Sequence, residues 1–240
     1  MELIVCKSYE EMSKKGAEII AAGMKEKPDF VLGLATGSTP VGMYHTLADM
    51  NRAGEIDFSR VTTYNLDEYY PIDPKNDQSY RYFMNKNLFD LVNIDKANTH
   101  VPDGSAADPD AACRAYDEAY AKTGYADIQV LGIGRNGHIG FNEPDDALVL
   151  GTHVTGLTED TIDANSRFFA SADEVPTHAL TMGMGTILKA KKILMLINGK
   201  QKHEVLTALL DDKITTAVPA TFIKLHSDVV VICDEEAYRG

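Results

Sequence analysis

The 240-residue chain is poor in positive charge. It carries 23 lysine and arginine side chains against 36 aspartate and glutamate side chains, for a formal charge of −13 at pH 7. Nucleic acids and anionic membrane surfaces demand a basic protein surface, so neither is expected as a partner. A small anion is not excluded, because backbone N–H groups and one or two local cations can hold a phosphate on an acidic protein.

Cysteine is scarce, and long apolar runs are missing. The three cysteines, Cys6, Cys113 and Cys233, form no C-x-x-C pair, so neither a zinc site nor a disulfide framework is expected. No apolar run approaches the roughly 20 residues that a membrane span needs, and the charged N-terminus is unlike a signal peptide. The sequence therefore predicts a cytoplasmic protein without a metal site.

Hydrophobic patterning predicts the fold class. An apolar fraction of 44% is ample for a buried core. Strands are predicted at 2–6, 29–35, 61–66, 127–133, around 193 and at 228–234, and helices at 9–27, 40–53, 78–91, 108–122, 182–191 and 200–210. This alternation is typical of a mainly parallel sheet covered by helices on both faces. We expect a three-layer, Rossmann-like α/β fold with an open sheet, formed by residues 1–240 as one domain, with a mobile lid around 145–176.

Small and hydroxyl residues follow the second predicted strand. Open α/β sheets bind ligands beyond the carboxyl ends of their strands, and here the strand runs into Thr36, Gly37, Ser38 and Thr39. Ser38 or Thr39 is predicted as the N-cap of the next helix, with Pro40 at its first position. The motif lacks the lysine of a nucleotide P-loop. An ordinary capped turn is the alternative, but four such residues in a row favour a phosphate site.

Two acidic residues, Asp67 and Glu68, follow the third predicted strand. A carboxylate at this place can face a ligand site and act as a general base, with its pKa set by burial or by its neighbour. Exposed acids in a turn are the alternative, and for an isolated Asp-Glu pair they are the more common case.

The stretch GIGRNGHIGFNEP, residues 132–144, begins like a dinucleotide-binding G-x-G-x-x-G motif after a strand. That motif must open a helix, and the glycines, asparagine and proline that follow make a helix improbable here. A turn that lets a ligand approach the backbone is expected instead, displaying Asn136, His138 and Glu143. A histidine beside a carboxylate is a natural proton-transfer pair. The alternative is a histidine bonded within its own loop.

Cations come late in the chain. Lys200 and Lys202 stand at the start of a predicted helix, where a lysine opposes the helix dipole, and Arg167 lies inside the expected lid. An anionic ligand would account for them, whereas a solvated surface position is the more common explanation for Lys200.

Together these motifs resemble the glucosamine-6-phosphate deaminases. The elements ATGSTP, YNLDEYY, GIGRNGHIGFNEP, NSRFF and NGKQK occur in that family's order, from Met1 to about Cys233. The ATGSTP element is shared with 6-phosphogluconolactonases, whereas GHIGFNEP together with LDEYY is specific. The resemblance implies conversion of glucosamine 6-phosphate and water to fructose 6-phosphate and ammonia, without organic cofactor or metal.

The resemblance also assigns roles to residues. Asp67 would move a proton between C2 and C1 of the sugar, and His138, helped by Glu143, would handle the proton of the ring oxygen. Thr36 to Thr39, Arg167 and Lys202 would hold the phosphate or another part of the substrate.

Two positions depart from the family pattern. Many members have aspartate where Asn136 stands, and we expect Asn136 to orient His138 by a hydrogen bond without stabilising its charge. The hexameric members activated by N-acetylglucosamine 6-phosphate carry an Arg-x-Lys pair where this chain has His153 and Thr155. A monomer or small homo-oligomer without this activation is therefore expected, rather than a hexamer.

Three alternative functions share part of this pattern. A 6-phosphogluconolactonase would share the phosphate loop and a Gly-His turn but would not need Asp67 as a base. A sugar-phosphate sensor would not need the acid–base residues together, and a dinucleotide-dependent dehydrogenase would need a helix after Gly137.

Overall fold

The computed structural model describes residues 1–157 and 175–240. The strands in these residues are β1 (Glu2–Cys6), β2 (Val31–Leu34), β3 (Thr62–Asn65), β4 (Asp67–Tyr70), β5 (Thr99–His100), β6 (Ile128–Leu131), β7 (His153–Gly156), β8 (His178–Thr181), β9 (Ile193–Ile197) and β10 (Val229–Asp234). Seven of them form one sheet in the order β1-β10-β9-β6-β2-β3-β5, with every neighbouring pair parallel.

Helices cover both faces of this sheet. They are α1 (Tyr9–Glu26), α2 (Val41–Arg52), α3 (Tyr80–Met84), α4 (Pro109–Lys122), α5 (Met184–Ile187), α6 (His203–Leu210) and α7 (Glu235–Arg239). The first three supply apolar side chains to the core on one face, and the other four supply the core on the opposite face. The three-layer α/β fold predicted from the sequence is therefore confirmed.

Burial explains why the strands were recognisable. Strands β2, β6, β9 and β10 are buried at every residue, because helices pack on both of their faces, and such strands read as nearly continuous apolar runs. The predicted helices also exist, but two differ in form. The helix expected at 78–91 passes from α3 into a π-helix at Asn85–Phe89, and the one expected at 182–191 is only the four-residue α5.

A second, antiparallel sheet with the order β4-β8-β7 was not predicted. Its first strand contains Asp67, which pairs with Thr181 of β8, so Asp67 and Glu68 lie in a strand and not in an exposed turn. Part of the expected lid, His153–Gly156, forms β7 on β8, while residues 158–174 of that lid lie outside the described residues.

The order of the parallel strands reverses between β2 and β6. From β2 the chain moves outward to β3 and β5, whereas from β6 it moves outward to β9 and β10 on the other side. A crevice forms beyond the carboxyl ends at such a switch point, and it is where open α/β sheets bind ligands. Among the described helices, none is long and apolar enough to cross a membrane.

Candidate active site

Loops after three neighbouring parallel strands meet at the switch point. The Thr39 hydroxyl, after β2, donates to the Asn198 side-chain oxygen, after β9, at 2.6 Å. The Lys202 ammonium donates to the backbone carbonyl of Ile133, after β6, at 2.5 Å. These two hydrogen bonds join the three loops into one surface, and Asp67 follows the next strand, β3.

Asp67 is buried, with 5% of its surface exposed. Within residues 1–157 and 175–240, no group donates a hydrogen bond to its carboxylate. Burial, with a smaller contribution from the charge of Glu68, raises the pKa of Asp67 from its ordinary 3.8 to about 8. A carboxyl group that titrates near neutral pH is suited to taking up and returning a proton.

Glu68 has a different role from its neighbour. Successive side chains of a strand point to opposite faces, and the Glu68 carboxylate accepts hydrogen bonds from the backbone N–H groups of Tyr69, Tyr80 and Arg81 at 2.8 to 2.9 Å. Burial raises its pKa to about 7, although these hydrogen bonds act to lower it. Glu68 therefore links the start of α3 to β4, and its carboxylate is occupied by backbone N–H donors.

Residues 132–144 form an irregular turn without a helix, as predicted. The Gly134 N–H donates to the carbonyl of His138 at 2.9 Å, and the Gly137 N–H donates to the carbonyl of Gly134 at 3.0 Å. Gly137 has a φ of +87° and Gly140 a φ of +58°, a region that glycine adopts readily. The dinucleotide motif is therefore absent in structure, because no helix N-terminus follows the glycines.

The turn brings His138, Glu143 and Asn136 together. The His138 Nδ1 lies 3.0 Å from Glu143 Oε1, and the Asn136 amide donates to Glu143 Oε2 at 2.6 Å. Burial acts to raise the pKa of Glu143, but His138 and Asn136 outweigh it, so the pKa lies below its ordinary value. Glu143 is thus ionised beside the imidazole at neutral pH.

Asn136 makes its hydrogen bond to His138 through the backbone, not through the imidazole. Its side-chain oxygen accepts a hydrogen bond from the backbone N–H of His138 at 3.2 Å, and its side-chain N–H donates to Glu143. The imidazole is instead oriented by Glu143, so Asn136 acts through the carboxylate. The sequence gives the order of these three residues but not which pair touches.

Gly134 provides the space for the His138 ring. A Cβ atom at position 134 would lie 2.4 Å from both Cε1 and Nε2 of the imidazole and 2.5 Å from Cδ2. The ring therefore packs directly on the Gly134 backbone, and the glycine is required by this contact.

The loop at 36–39 differs from its predicted form. Pro40, rather than Ser38 or Thr39, is the N-cap of α2, and its own side chain makes no capping hydrogen bond. The Tyr9 hydroxyl, which is distant in sequence, accepts from the Gly42 N–H at 2.8 Å and so replaces the expected cap.

The backbone of this loop remains suited to an anion. Among the described residues, the N–H groups of Gly37, Ser38 and Thr39 have no protein acceptor. Gly37 has a φ of +92°, and a Cβ at that position would meet open space. Backbone N–H groups that are free beside a helix start form a ready anion site.

Lys202 reaches the site from the 3₁₀ turn Lys200–Lys202 that follows β9. Burial, together with the nearby charge of Arg135, lowers the pKa of the half-buried Lys202. Its companion Lys200 is exposed, in line with a solvated position. Arg167 lies outside the described residues.

Sequence reasoning missed three residues of this region. Arg135, Asn198 and Thr181 border the site through the contacts of Lys202, Thr39 and Asp67. Asn198 directly follows a central strand, and this position could have identified it, as it identified Lys202. No local sequence pattern distinguishes Thr181. Within the described residues, no group of three or more His, Cys, Asp or Glu side chains could hold a metal ion.

Comparisons with known proteins agree on one family. The family model of glucosamine-6-phosphate isomerases and 6-phosphogluconolactonases matches residues 7–232. A glucosamine-6-phosphate deaminase of Thermoanaerobacter sp. (strain X514) is 56% identical over 237 residues, 99% of this chain and 94% of that protein. A glucosamine-6-phosphate deaminase of Clostridium perfringens (strain 13 / Type A) is 56% identical over 239 residues, 100% of this chain and 99% of that one.

Solved structures extend the similarity. One, described as a monomeric glucosamine-6-phosphate deaminase, is 45% identical with a TM-score of 0.94 and covers 100% of this chain and 99% of its own. A 6-phosphogluconolactonase from Thermotoga maritima is 23% identical with a TM-score of 0.77, covering 97% and 98%. The second match bears on the fold alone.

Proposed function

The chain belongs to the family of glucosamine-6-phosphate isomerases and 6-phosphogluconolactonases, and we propose that within it the chain is a deaminase of amino-sugar catabolism. The reaction converts glucosamine 6-phosphate and water to fructose 6-phosphate and ammonia. The observation that carries the proposal is the meeting, at one switch point, of a buried carboxyl group of raised pKa with a separate histidine–carboxylate pair. The 56% identity to proteins named as deaminases supports it.

Asp67 is proposed as the base for isomerisation. Moving a proton from C2 to C1 needs one group that removes it, holds it and returns it to the neighbouring carbon. A carboxyl group with a pKa of about 8 can both accept this proton and return it, because near neutral pH neither its protonated nor its ionised form is strongly favoured. Since no described residue donates a hydrogen bond to the carboxylate, its oxygens are available to the substrate.

His138 and Glu143 are proposed to serve the ring oxygen, with Asn136 holding Glu143. Opening the pyranose ring requires a proton on that oxygen while the C1 hydroxyl loses one. An ionised Glu143 at 3.0 Å stabilises the imidazolium that forms when His138 takes up a proton. The His138 ring, with 32% of its side chain exposed, can meet the sugar and exchange protons with solvent.

The phosphate is proposed to bind to the backbone of Thr36, Gly37, Ser38 and Thr39 together with Lys202. This loop offers free N–H groups, and Lys202 provides the charge that an acidic chain otherwise lacks. Arg167 is proposed as a second cation on the strength of the family resemblance. The phosphate acts as a remote handle, and its binding energy orients the reacting carbons over Asp67 and beside His138.

We also propose that residues 1–240 act as one catalytic domain, as a monomer or small homo-oligomer in the cytoplasm. The family match spans nearly the whole chain, and a related deaminase is described as monomeric. The cysteines are buried free thiols, as is usual for proteins of reducing compartments.

The test is ammonia release from glucosamine 6-phosphate by the wild-type protein and by Asp67→Asn. Wild type should release ammonia and fructose 6-phosphate in equal amounts, and Asp67→Asn should lose at least about 100-fold in kcat. Asp29→Asn is the matched control, since this exposed residue precedes β2 at the opposite edge of the sheet. It should behave as wild type.

Each other outcome has a defined meaning. Absence of ammonia from wild type would overturn the proposal, and hydrolysis of 6-phosphogluconolactone without ammonia release would assign the chain to the lactonases instead. Full activity in Asp67→Asn would overturn the role of Asp67 alone.

A further inference from the structure

Thr181 is a fully buried polar residue that the proposed mechanism leaves without a task. It ends β8 and pairs directly with Asp67 across the small antiparallel sheet. Directly paired residues of adjacent strands present their side chains on the same face. The Thr181 hydroxyl and the Asp67 carboxylate are therefore neighbours by the register of the sheet.

Both side chains face one point on the turn that carries His138. A Cβ on Gly140 would lie 2.8 Å from the Thr181 hydroxyl oxygen and 3.1 Å from Asp67 Oδ2. The same hydroxyl accepts a hydrogen bond from the backbone N–H of Phe141 at 3.1 Å, in a buried setting. Thr181 thus connects the strand of the base to the turn.

Hydrogen bonds of the next residue, Met182, link the same two regions. The Met182 N–H donates to the carbonyl of Leu66, next to Asp67, at 2.7 Å. The carbonyl of Met182 accepts from the side-chain amide of Asn142, next to Glu143, at 2.8 Å. Residues 181 and 182 therefore lie between the base and the histidine–carboxylate pair and bond to both sides.

We propose that Thr181 is a positioning residue that fixes the turn bearing His138 and Glu143 relative to Asp67. The inference rests on the proposed deaminase function, in which two separate proton-transfer groups act on one bound sugar. Proton transfer requires each group within hydrogen-bond reach of its own atom of the substrate, so the separation of the two groups must match the separation of the sugar's C2 and ring oxygen. Thr181 holds that separation through the Phe141 N–H.

Thr181→Val is the informative variant, because it removes the hydroxyl and keeps the volume nearly constant. The Phe141 N–H then loses its acceptor and the turn can shift from Asp67. Since the phosphate loop and Lys202 are untouched, kcat should fall at least about tenfold while KM changes less than about threefold. Thr181→Ser keeps the hydroxyl and should restore most of kcat.

Thr186→Val is the matched control. Thr186 is also buried, but its hydroxyl donates to Asp117 at 3.2 Å, away from the turn. The Thr186→Val protein should keep the wild-type kcat. Amide hydrogen exchange of Phe141, followed by NMR in all four proteins, reports the bond itself without any turnover, and only Thr181→Val should accelerate it.

The outcomes separate this inference from the proposed function. Wild-type kcat in Thr181→Val, or a kcat loss that Thr181→Ser does not restore, would overturn the positioning role while leaving the deaminase intact. A wild-type protein that releases no ammonia would overturn the deaminase proposal. In that case the exchange rate of the Phe141 amide alone tests the hydrogen bond between Phe141 and Thr181. An unchanged exchange rate in Thr181→Val would then overturn the positioning role of Thr181 as well.

Discussion

Gly134→Ala tests whether the His138 ring must lie on the glycine backbone. The added Cβ would lie 2.4 Å from Cε1 and Nε2 of the imidazole, whereas ordinary carbon contacts begin near about 3.5 Å. The ring must therefore move by roughly 1 Å, away from Glu143 or from the substrate. Gly134 does not have a positive φ, so alanine fits the backbone and the variant changes space alone.

The expected loss follows from this displacement. A catalytic group misplaced by about 1 Å costs on the order of 100-fold in rate, so kcat for ammonia release should fall by about that factor. KM should stay within a few-fold, because the substitution leaves unchanged the residues proposed to hold the phosphate, Lys202 and the loop after β2. Coupled measurement of released ammonia over a range of substrate concentrations gives both constants.

A control and a refutation complete the experiment. Gly156→Ala makes the same change at a glycine of β7 where a Cβ meets nothing within 4 Å, and it should leave kcat unchanged. Circular dichroism and the Tm establish that both variants fold. Wild-type kcat in a folded Gly134→Ala protein would refute the proposed placement of His138.

The remaining predictions concern charge and regulation. Because burial raises the pKa of Asp67 to about 8, kcat/KM should rise with pH through that value as the base ionises, and an acid limb near pH 4 would contradict this. The folded state also holds this proton more tightly than the unfolded chain, so stability falls as pH rises from about 4 to 8. Asp67→Asn removes that loss and should raise the Tm at pH 8 while lowering kcat at least about 100-fold; an unchanged Tm would argue against the burial of an ionised carboxylate. Asn136→Asp should retain activity but raise the pKa of Glu143, because a second carboxylate replaces the donor at 2.6 Å, and an unshifted Glu143 signal in a carbon-13 NMR titration would count against it. N-acetylglucosamine 6-phosphate should leave a hyperbolic saturation curve unchanged, because His153 and Thr155 stand in place of the Arg-x-Lys pair; a sigmoid curve that becomes hyperbolic on its addition would show the opposite.

The parallel sheet could be predicted because each of its strands is recognisable from a few consecutive residues. Strands such as β9 and β10 are buried on both faces, so their apolar runs mark them within five or six residues. The places where these strands end then located Lys202 and the turn around His138, since the carboxyl ends of parallel strands share one edge.

The small antiparallel sheet could not be predicted in the same way. Strand β4 has four residues and pairs with a strand more than 100 residues later, so no local pattern records the pairing. Its formation nevertheless buries Asp67 and sets its pKa. The sequence placed Asp67 near the site, but only the pairing explains why the pKa of its carboxyl group lies near neutral pH.

One local rule gave the wrong detail. Ser38 and Thr39 have the usual side chains of an N-cap, yet Tyr9 takes the Gly42 N–H instead. A partner brought close by folding replaced the partner suggested by sequence distance.

The division of the site between two sheets has an evolutionary consequence. Phosphate recognition is assigned to loops of the large parallel sheet, whereas Asp67 belongs to the small one, and the two are joined near residues 181 and 182. Changes confined to β4 and β8 would alter the reaction performed on a bound sugar without altering the grip on its phosphate. New activities towards sugar phosphates could therefore diverge from one ancestor by rebuilding two short strands.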